Sequence, residues 1–309
     1  MSLKNTLVRL SAATAFFGGL FAFSNYVYKV SSVPHTHTDE DDASQDIAIT
    51  QGRKFVRNHP DRQDVYITSV DSLNLHASFI PAKEPSDKYV ILIHGIWDNH
   101  EANGIYAKHY LEKGYNCLLP DLRGFGQSEG SYIGYGLDDR LDVKEWINWV
   151  IQRNSEALIL LHGMSMGAAT TLMTTGEYLP ENVKGAIADS SYTTLPEEFA
   201  GTYKQFKGSI IPTPIAIGIM RIMIRIRSGF DINDVRPIDA VKRSVTPTLF
   251  IHGDDDKFID PHMCSRLYEA ANCEKQYCMI LGADHIQGIV VDPVNYWAKV
   301  DSFTAKYMV

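Results

Sequence analysis

A serine with a glycine two positions away on each side is the first candidate for chemistry in this chain. The pentapeptide Gly163-Met164-Ser165-Met166-Gly167 has the pattern G-x-S-x-G. An apolar run of strand length, 157–161, precedes it, and small helix-compatible residues follow at 168–173. Where a strand turns sharply into a helix at this pattern, the serine hydroxyl is exposed at the end of a sheet. The context therefore predicts that Ser165 is a nucleophile.

A serine hydroxyl is a weak nucleophile at neutral pH, so it needs a general base and an acid that fixes the tautomer of that base. In this arrangement the chain order is serine, acid, histidine. His285 follows the last predicted strand directly, whereas His262 begins a helix too close to the candidate acids. We therefore predict His285 as the base. The acid should lie in the loop after a strand at 248–251, where the spacing favours Asp256 and leaves Asp255 as the alternative.

The tetrahedral intermediate of acyl transfer needs two backbone N–H donors for its oxyanion. One is predicted to be the amide of Met166, directly after the nucleophile. The other should come from the loop after a strand at 89–93. Ile96 is favoured there, with Trp97 as the alternative. Each such donor contributes about 3 kcal/mol in the transition state.

Strands that alternate with helices are predicted to position these residues. Such alternation indicates an α/β fold with a mostly parallel sheet and helices on both faces. The predicted helices include 101–113, 138–153 and 293–307. The sheet is predicted to have eight strands, at 64–69, 73–80, 89–93, 115–119, 158–161, 183–188, 248–251 and 275–280.

One connection is far longer than the others. Residues 190–244 separate two predicted strands by about 55 residues, whereas ordinary connections have only a few. The apolar run 215–226 within it is predicted to be helical. We interpret 190–244 as a helical cap over the strand ends, and we expect it to select the substrate.

The N-terminus carries a separate apolar segment. Nineteen uncharged residues, 10–28, lie between Arg9 and Lys29, and a helix of that length would span roughly 28 Å. With Lys4 and Arg9 on the near side, the segment is predicted to be a single-pass membrane anchor that leaves the catalytic body outside the cytoplasm. A cleaved signal peptide, which would give a secreted protein, and a buried core helix are the alternatives.

Composition excludes several partners. The net charge of -8 and the lack of any Lys/Arg run argue against nucleic acid. The four cysteines have no C-x-x-C spacing, so no zinc site is predicted. We predict no metal and no organic cofactor, and expect a small-molecule ester or acyl substrate. We make no prediction about a disulfide among Cys264, Cys273 and Cys278 or about the oligomeric state.

Five motifs follow one another along the chain. They are His94-Gly95, Asp121-Leu122-Arg123-Gly124-Phe125-Gly126-Gln127-Ser128-Glu129-Gly130, His162-Gly163-Met164-Ser165-Met166-Gly167, His252-Gly253-Asp254-Asp255-Asp256 and Gly282-Ala283-Asp284-His285. With these motifs the chain resembles the α/β-hydrolase superfamily over about 63–307. It is most similar to the bacterial serine hydrolases grouped with cinnamoyl-ester hydrolases and S33-type serine aminopeptidases, many of them N-terminally anchored.

The resemblance implies carboxylic-ester hydrolysis, the choice of Asp256 and Ile96, and the location of the cap. It also implies a structural role for the Asp121 motif. Many relatives have glycine or alanine where Asp284 stands, and the extra carboxylate beside His285 is predicted to raise the pKa of His285 or to contact substrate. The resulting domain prediction is 1–30 anchor or signal segment, 31–60 linker and short helix, and 61–309 α/β-hydrolase domain with the cap at 190–244.

The sequence analysis therefore predicts a serine hydrolase that cleaves carboxylic esters through an acyl-enzyme. A peptidase or amidase on the same triad is an alternative, and Glu197 and Glu198 in the cap are candidates to anchor a substrate amine. An acyltransferase differs only in the acceptor that resolves the acyl-enzyme. A non-catalytic binding protein is disfavoured because all the expected motifs are present.

Overall fold

The computed structural model describes residues 25, 28–29, 31–35, 47–205 and 211–309. Its centre is an eight-stranded sheet with the order β1-β2-β4-β3-β5-β6-β7-β8. All eight predicted strands are present. They are β1 (Gln63–Thr68), β2 (Asn74–Ile80), β3 (Lys88–Ile93), β4 (Asn116–Pro120), β5 (Leu158–Met164), β6 (Val183–Asp189), β7 (Thr248–Gly253) and β8 (Lys275–Ile280).

The sheet is mixed rather than wholly parallel. β2 pairs antiparallel with both β1 and β4, while the five remaining neighbouring pairs are parallel. The antiparallel edge arises because β1 and β2 form a hairpin, in which Ser72 has a φ of 70°. Since β3, β5, β7 and β8 run in one direction, the loops that follow them meet at one edge of the sheet.

Helices cover both faces of this sheet, as predicted. The central strands are buried along nearly their whole length, which explains their continuous apolar sequence. The helices are α1 (Ile47–Arg57), α2 (Gly104–Glu112), α3 (Asp139–Arg153), α4 (Met166–Thr175), α5 (Leu195–Gln205), α6 (Thr213–Ser228), α7 (Pro237–Val241), α8 (His262–Ala270), α9 (Gly288–Val291) and α10 (Pro293–Tyr307).

The long connection between β6 and β7 contains α5, α6 and α7, so the helix expected over 215–226 is present as α6. This connection packs on the loop before α3. The ring of Phe199 on α5 meets Tyr135 edge to face at 5.2 Å, and Phe230 lies 5.9 Å from Tyr132. The cap is thereby fixed against the body through aromatic contacts.

The predicted anchor at 10–28 lies outside the described residues, apart from Asn25 and Tyr28. Among the helices that the structure describes, none combines the length and the apolarity needed to cross a bilayer. Residues 31–35, which we expected to begin a linker, pack on the body instead. Ser32 is buried, and its carbonyl accepts a hydrogen bond from the Ile133 amide at 2.9 Å.

All four cysteines lie among the described residues and are free thiols. Cys117, Cys264 and Cys278 are buried, and Cys273 is half-buried. Burial raises the pKa of each of these thiols, which disfavours the reactive thiolate at neutral pH.

Asp139, on α3, makes stability depend on pH. Burial raises its pKa to about 7 from 3.8, although Arg123 lies nearby. Because the folded pKa is raised, the protonated form contributes stability below about pH 4, and this contribution is lost as the pH rises through 7. A shift of this size corresponds to a contribution of about 4 kcal/mol to the free energy of unfolding.

Asp139→Asn should therefore abolish this part of the pH dependence. The amide oxygen can still accept the hydrogen bond that the Gly136 N–H donates at 2.9 Å. Urea unfolding at pH 5 and pH 8 measures the effect, and the variant should gain stability relative to the wild type at the higher pH. An equal difference between the two proteins at both pH values would contradict the prediction.

Candidate active site

Ser165 lies on the turn between β5 and α4, with φ 55° and ψ -119°. This backbone conformation is strained for a residue with a side chain. The flanking glycines are required by close packing: a Cβ on Gly163 would lie 2.1 Å from the Gly167 carbonyl oxygen, and a Cβ on Gly167 would lie 2.1 Å from the Ile93 carbonyl oxygen. The predicted strand–turn–helix geometry is therefore present, and it holds the serine at the carboxyl edge of the sheet.

The structure brings the three predicted triad residues together. His285 Nε2 lies 2.9 Å from Ser165 Oγ, and His285 Nδ1 lies 2.8 Å from Asp256 Oδ2. The ionised carboxylate accepts the Nδ1 proton, which leaves Nε2 free to accept the serine proton. The alternative acid, Asp255, is exposed and paired with Lys257. The geometry thus joins Ser165 to Asp256 rather than to Asp255.

A second histidine, which the sequence analysis did not single out, contacts the same carboxylate. His252 Nε2 lies 3.0 Å from Asp256 Oδ2 and 3.2 Å from the Ile259 carbonyl oxygen. Since both neighbours are acceptors, Nε2 must carry a proton. The only signal in the sequence was the four-residue spacing from His252 to Asp256 within one motif.

The Asp256 carboxylate accepts hydrogen bonds on both of its oxygens. Its other oxygen, Oδ1, accepts the amides of Phe258 and Ile259, each at 2.8 Å. Burial alone would raise the pKa of Asp256, but the hydrogen bonds from His252 and His285 outweigh it and hold this pKa well below its usual range. The carboxylate is therefore ionised at any pH at which the protein would function.

The turn after β3 passes directly against the nucleophile. A Cβ on Gly95 would lie 3.4 Å from Ser165 Cβ and 3.9 Å from its Oγ. His94 shapes this turn, because its Nδ1–H donates to the Gly95 carbonyl at 2.7 Å and its Nε2 accepts the Leu122 amide at 3.0 Å. Burial lowers the pKa of His94, which keeps the ring neutral. The Ile96 and Met166 amides stay the predicted oxyanion donors.

The motif that begins at Asp121 is held by hydrogen bonds. Asp121 Oδ2 accepts His76 Nδ1–H at 2.7 Å, and Oδ1 accepts both the amide and the Nδ1–H of His100 at 2.8 Å. Burial would raise the pKa of Asp121, but the two histidines outweigh it and lower it well below its usual range. These three residues lie close enough to be potential metal ligands. However, both Nδ1 atoms carry protons directed at the carboxylate, so we assign the group to loop structure.

An apolar cavity of about 630 Å³ opens beside Ser165 and His285. No described residue of the cap at 190–244 lines it, in contrast to our expectation that the cap selects the substrate. Ile49 of α1, the helix expected only as an adjunct to the linker, contributes to the lining instead. The apolar lining includes Ile49, Ile96, Ile105, Tyr106, Ile286 and Ile289.

Ion pairs hold the helix α1 against the loop after β3. Arg53 pairs with Asp98, and Arg57 donates two hydrogen bonds to Glu101, at 3.0 Å from Nε and 2.6 Å from Nη2. The backbones also approach closely, since a Cβ on Gly104 would lie 1.9 Å from the Gly52 carbonyl oxygen. These contacts position Ile49 at the cavity.

A second cavity, of about 300 Å³, also adjoins His285. Gln205 at the end of α5, Lys257 and Asp284 line it. Asp284 Oδ1 accepts the amides of Lys257 and His285, both at 2.8 Å. The carboxylate predicted to act on His285 or on substrate therefore joins the loops that carry the acid and the base.

The two cap glutamates have protein partners. Glu197 accepts hydrogen bonds from both terminal nitrogens of Arg266, at 3.0 and 3.1 Å. Glu198 is buried and accepts the Thr202 hydroxyl at 2.8 Å, and burial raises its pKa to about 7. Neither residue lines the cavities beside Ser165. This arrangement does not favour their use as an amine anchor.

Two sequence relatives align with most of the chain. An uncharacterised protein of Bacillus subtilis strain 168, YqkD, is 27% identical over 215 residues, which cover 69% of this chain and 70% of the relative. An uncharacterised protein of Escherichia coli K12, YfhR, is 29% identical over 232 residues, which cover 72% of this chain and 73% of the relative.

A family model and a solved structure agree on the architecture. The model described as the alpha/beta hydrolase fold matches residues 88–207. The structure of the Pyrococcus furiosus esterase Pf2001 is similar with a TM-score of 0.64 and 23% identity, over 90% of this chain and 99% of the esterase. Together with the strand order, these comparisons show that the chain has the α/β-hydrolase fold.

Proposed function

We propose that this protein is a serine hydrolase that cleaves carboxylic esters through an acyl-enzyme. The observation that carries the proposal is the continuous hydrogen-bonded chain from Asp256 through His285 to Ser165 at the mouth of an apolar cavity. The likeness to a structurally characterised esterase adds support. The resemblance noted from the sequence motifs points to the same reaction.

In the first half of the reaction, Ser165 Oγ attacks the ester carbonyl carbon while its proton passes to His285 Nε2. The carbonyl electrons move onto the oxygen, which the Met166 and Ile96 amides stabilise. When the intermediate collapses, the bond to the alcohol breaks and the alcohol leaves with the proton from His285. Water then attacks the acyl carbon while His285 takes a proton from it. The bond from the acyl carbon to Ser165 Oγ breaks, Oγ takes the proton from His285, and the carboxylic acid leaves.

We further propose that the 630 Å³ cavity receives the acyl chain, because its lining is mostly isoleucine and aromatic side chains. The smaller cavity, lined by Lys257, Asp284 and Gln205, suits a polar leaving group. This division predicts that esters of medium-length acids are better substrates than acetates. A series of p-nitrophenyl esters of increasing acyl length tests the preference, and aminoacyl amides in the same screen test the peptidase alternative.

Ile49→Trp should shorten the acyl chain that the enzyme accepts. The indole would extend from α1 into the cavity, so kcat/KM for p-nitrophenyl octanoate should fall about tenfold relative to that for the acetate. Ile215→Trp, the same change on the cap helix α6, is the matched control and should leave the ratio unchanged. If the control lowers the ratio while Ile49→Trp does not, the cap rather than α1 selects the acyl chain.

Acyl transfer and hydrolysis differ in the molecule that accepts the acyl group from the acyl-enzyme. Adding short alcohols to the ester assay should yield a minor transesterified product while water stays the main acceptor. Predominant transfer at low alcohol concentration would identify an acyltransferase on the same triad.

A further inference from the structure

One side of the cap helix α6 is apolar and exposed. Ile215, Ile222 and Ile226 are 56%, 59% and 75% exposed. At 3.6 residues per turn, their spacings of seven and four place them within about 20° of one line along the helix. Ile224, which is almost fully buried, lies on the opposite side. The helix therefore presents a straight apolar stripe to the outside, not scattered exposed residues.

Arginines flank this stripe on both sides. From the helical spacing, Arg225 lies on one side of the stripe and Arg227 on the other. Arg221 and Arg225 share the single carboxylate of Asp231, at 2.6 and 3.4 Å. The helix consequently keeps an excess of positive charge beside its apolar face. Apolar residues between flanking arginines suit a bilayer surface, where the guanidinium groups reach the lipid phosphates.

The N-terminal chain reaches the same helix. Tyr28, the last residue of the uncharged segment 10–28, is buried against the end of α6: its hydroxyl lies 3.1 Å from Ser228 Oγ, and the Arg227 guanidinium lies 4.8 Å from its ring. The chain then stays on the body through Ser32 and reaches Trp97, on whose ring His35 stacks at 5.5 Å.

No spacer therefore separates the predicted membrane segment from the folded body. If the uncharged residues before Tyr28 lie in a bilayer, the bilayer surface must approach the end of α6 at which Tyr28 is held. We propose that the stripe formed by Ile215, Ile222 and Ile226 docks into the bilayer surface beside the N-terminal segment. This proposal rests on the predicted N-terminal segment and is independent of ester hydrolysis.

The test measures the depth of α6 in the full-length chain reconstituted into phosphatidylcholine vesicles with a minority of phosphatidylglycerol. Cys273, the half-buried native thiol, is first replaced by serine. Ile222→Cys and Ile226→Cys are then labelled singly with an environment-sensitive fluorophore. Val245→Cys, at a residue that is 84% exposed just before β7, is the matched control for an exposed apolar residue away from α6.

Lipids with a nitroxide on the acyl chain should quench the labels at residues 222 and 226 at least twofold more than the label at 245. Equal quenching at all three positions would overturn the proposal. A blue-shifted label at 222 or 226 without nitroxide quenching would also overturn it, because the stripe would then be covered by protein, such as a second copy. Each labelled protein is checked by its unfolding transition, so a misfolded variant is recognised.

Ester hydrolysis provides an independent readout. Ile226→Ser should keep full activity on a soluble p-nitrophenyl ester and lose activity several-fold on the same acyl group in an ester embedded in the vesicles. If neither ester is hydrolysed by the wild type, the proposed function fails while the quenching result stands on its own.

Discussion

Ser165→Ala is expected to lower kcat/KM for p-nitrophenyl esters by about 10⁴-fold or more and to abolish labelling by a fluorophosphonate. The hydroxyl is the atom that forms the acyl bond, and nothing replaces it once it is removed. The change deletes one oxygen from a side chain that is already buried, so the fold should persist. Only the contribution of substrate binding and oxyanion stabilisation would remain.

The matched control is Ser265→Ala, which removes another hydroxyl that hydrogen-bonds to a neighbour, Tyr277, at 3.1 Å. It should label and turn over like the wild type. Unchanged unfolding of both variants would show that lost activity is not lost structure. If the wild type is not labelled, or if Ser165→Ala still labels, Ser165 is not the nucleophile and the proposed mechanism is wrong.

We expect Asp256→Asn to reduce kcat about 10⁴-fold because it changes the tautomer of His285. The fold should change little. The Oδ1 position accepts the amides of Phe258 and Ile259, so the amide oxygen of asparagine must stay there. The NH₂ group then occupies the Oδ2 position, which faces the Nδ1–H of His285 and the Nε2–H of His252.

A donor facing a donor is unfavourable, so His285 would move its proton to Nε2. That nitrogen could then no longer accept the proton of Ser165, although every heavy atom stays near its place. Asp255→Asn alters a neighbouring exposed carboxylate and should be close to wild type. Steady-state kinetics of both variants decide the assignment, and a greater loss in Asp255→Asn would transfer the role of the acid to that residue.

The positions of the strands along the chain and the sharp turn at Ser165 could be predicted because they depend on local signals. The continuous apolar runs of β3 and β5 mark strands buried on both faces, and the small residues around Ser165 leave room for a sharp turn. The eight strands and the cap helix α6 follow from such patterns. The antiparallel pairing of β2 with β4 depends on tertiary packing, and no local sequence pattern indicates it.

What could not be predicted depends on contacts between distant segments. Ile49 reaches the cavity because Gly52 of α1 lies close to Gly104 and because two arginine–carboxylate pairs hold the helix in place. None of these contacts produces a periodic sequence pattern. The same holds for His252, whose ring meets Asp256 only after the loop folds back. The expectation that the cap selects substrate rested on its position along the chain, whereas the described residues that line the large cavity lie before and after the cap.

Because residues 28–35 and α1 pack on the body, a truncated form of the protein has to begin before them. A truncated chain that starts at the predicted boundary, residue 61, would lose the helix that carries Ile49 and would uncover the surfaces on which Tyr28 and Ser32 are buried. Such a fragment should be less stable than the full chain, and it should discriminate less between esters of different acyl length. For recombinant work, the physical start of the folded unit lies no later than Tyr28, more than thirty residues before the start of the first strand.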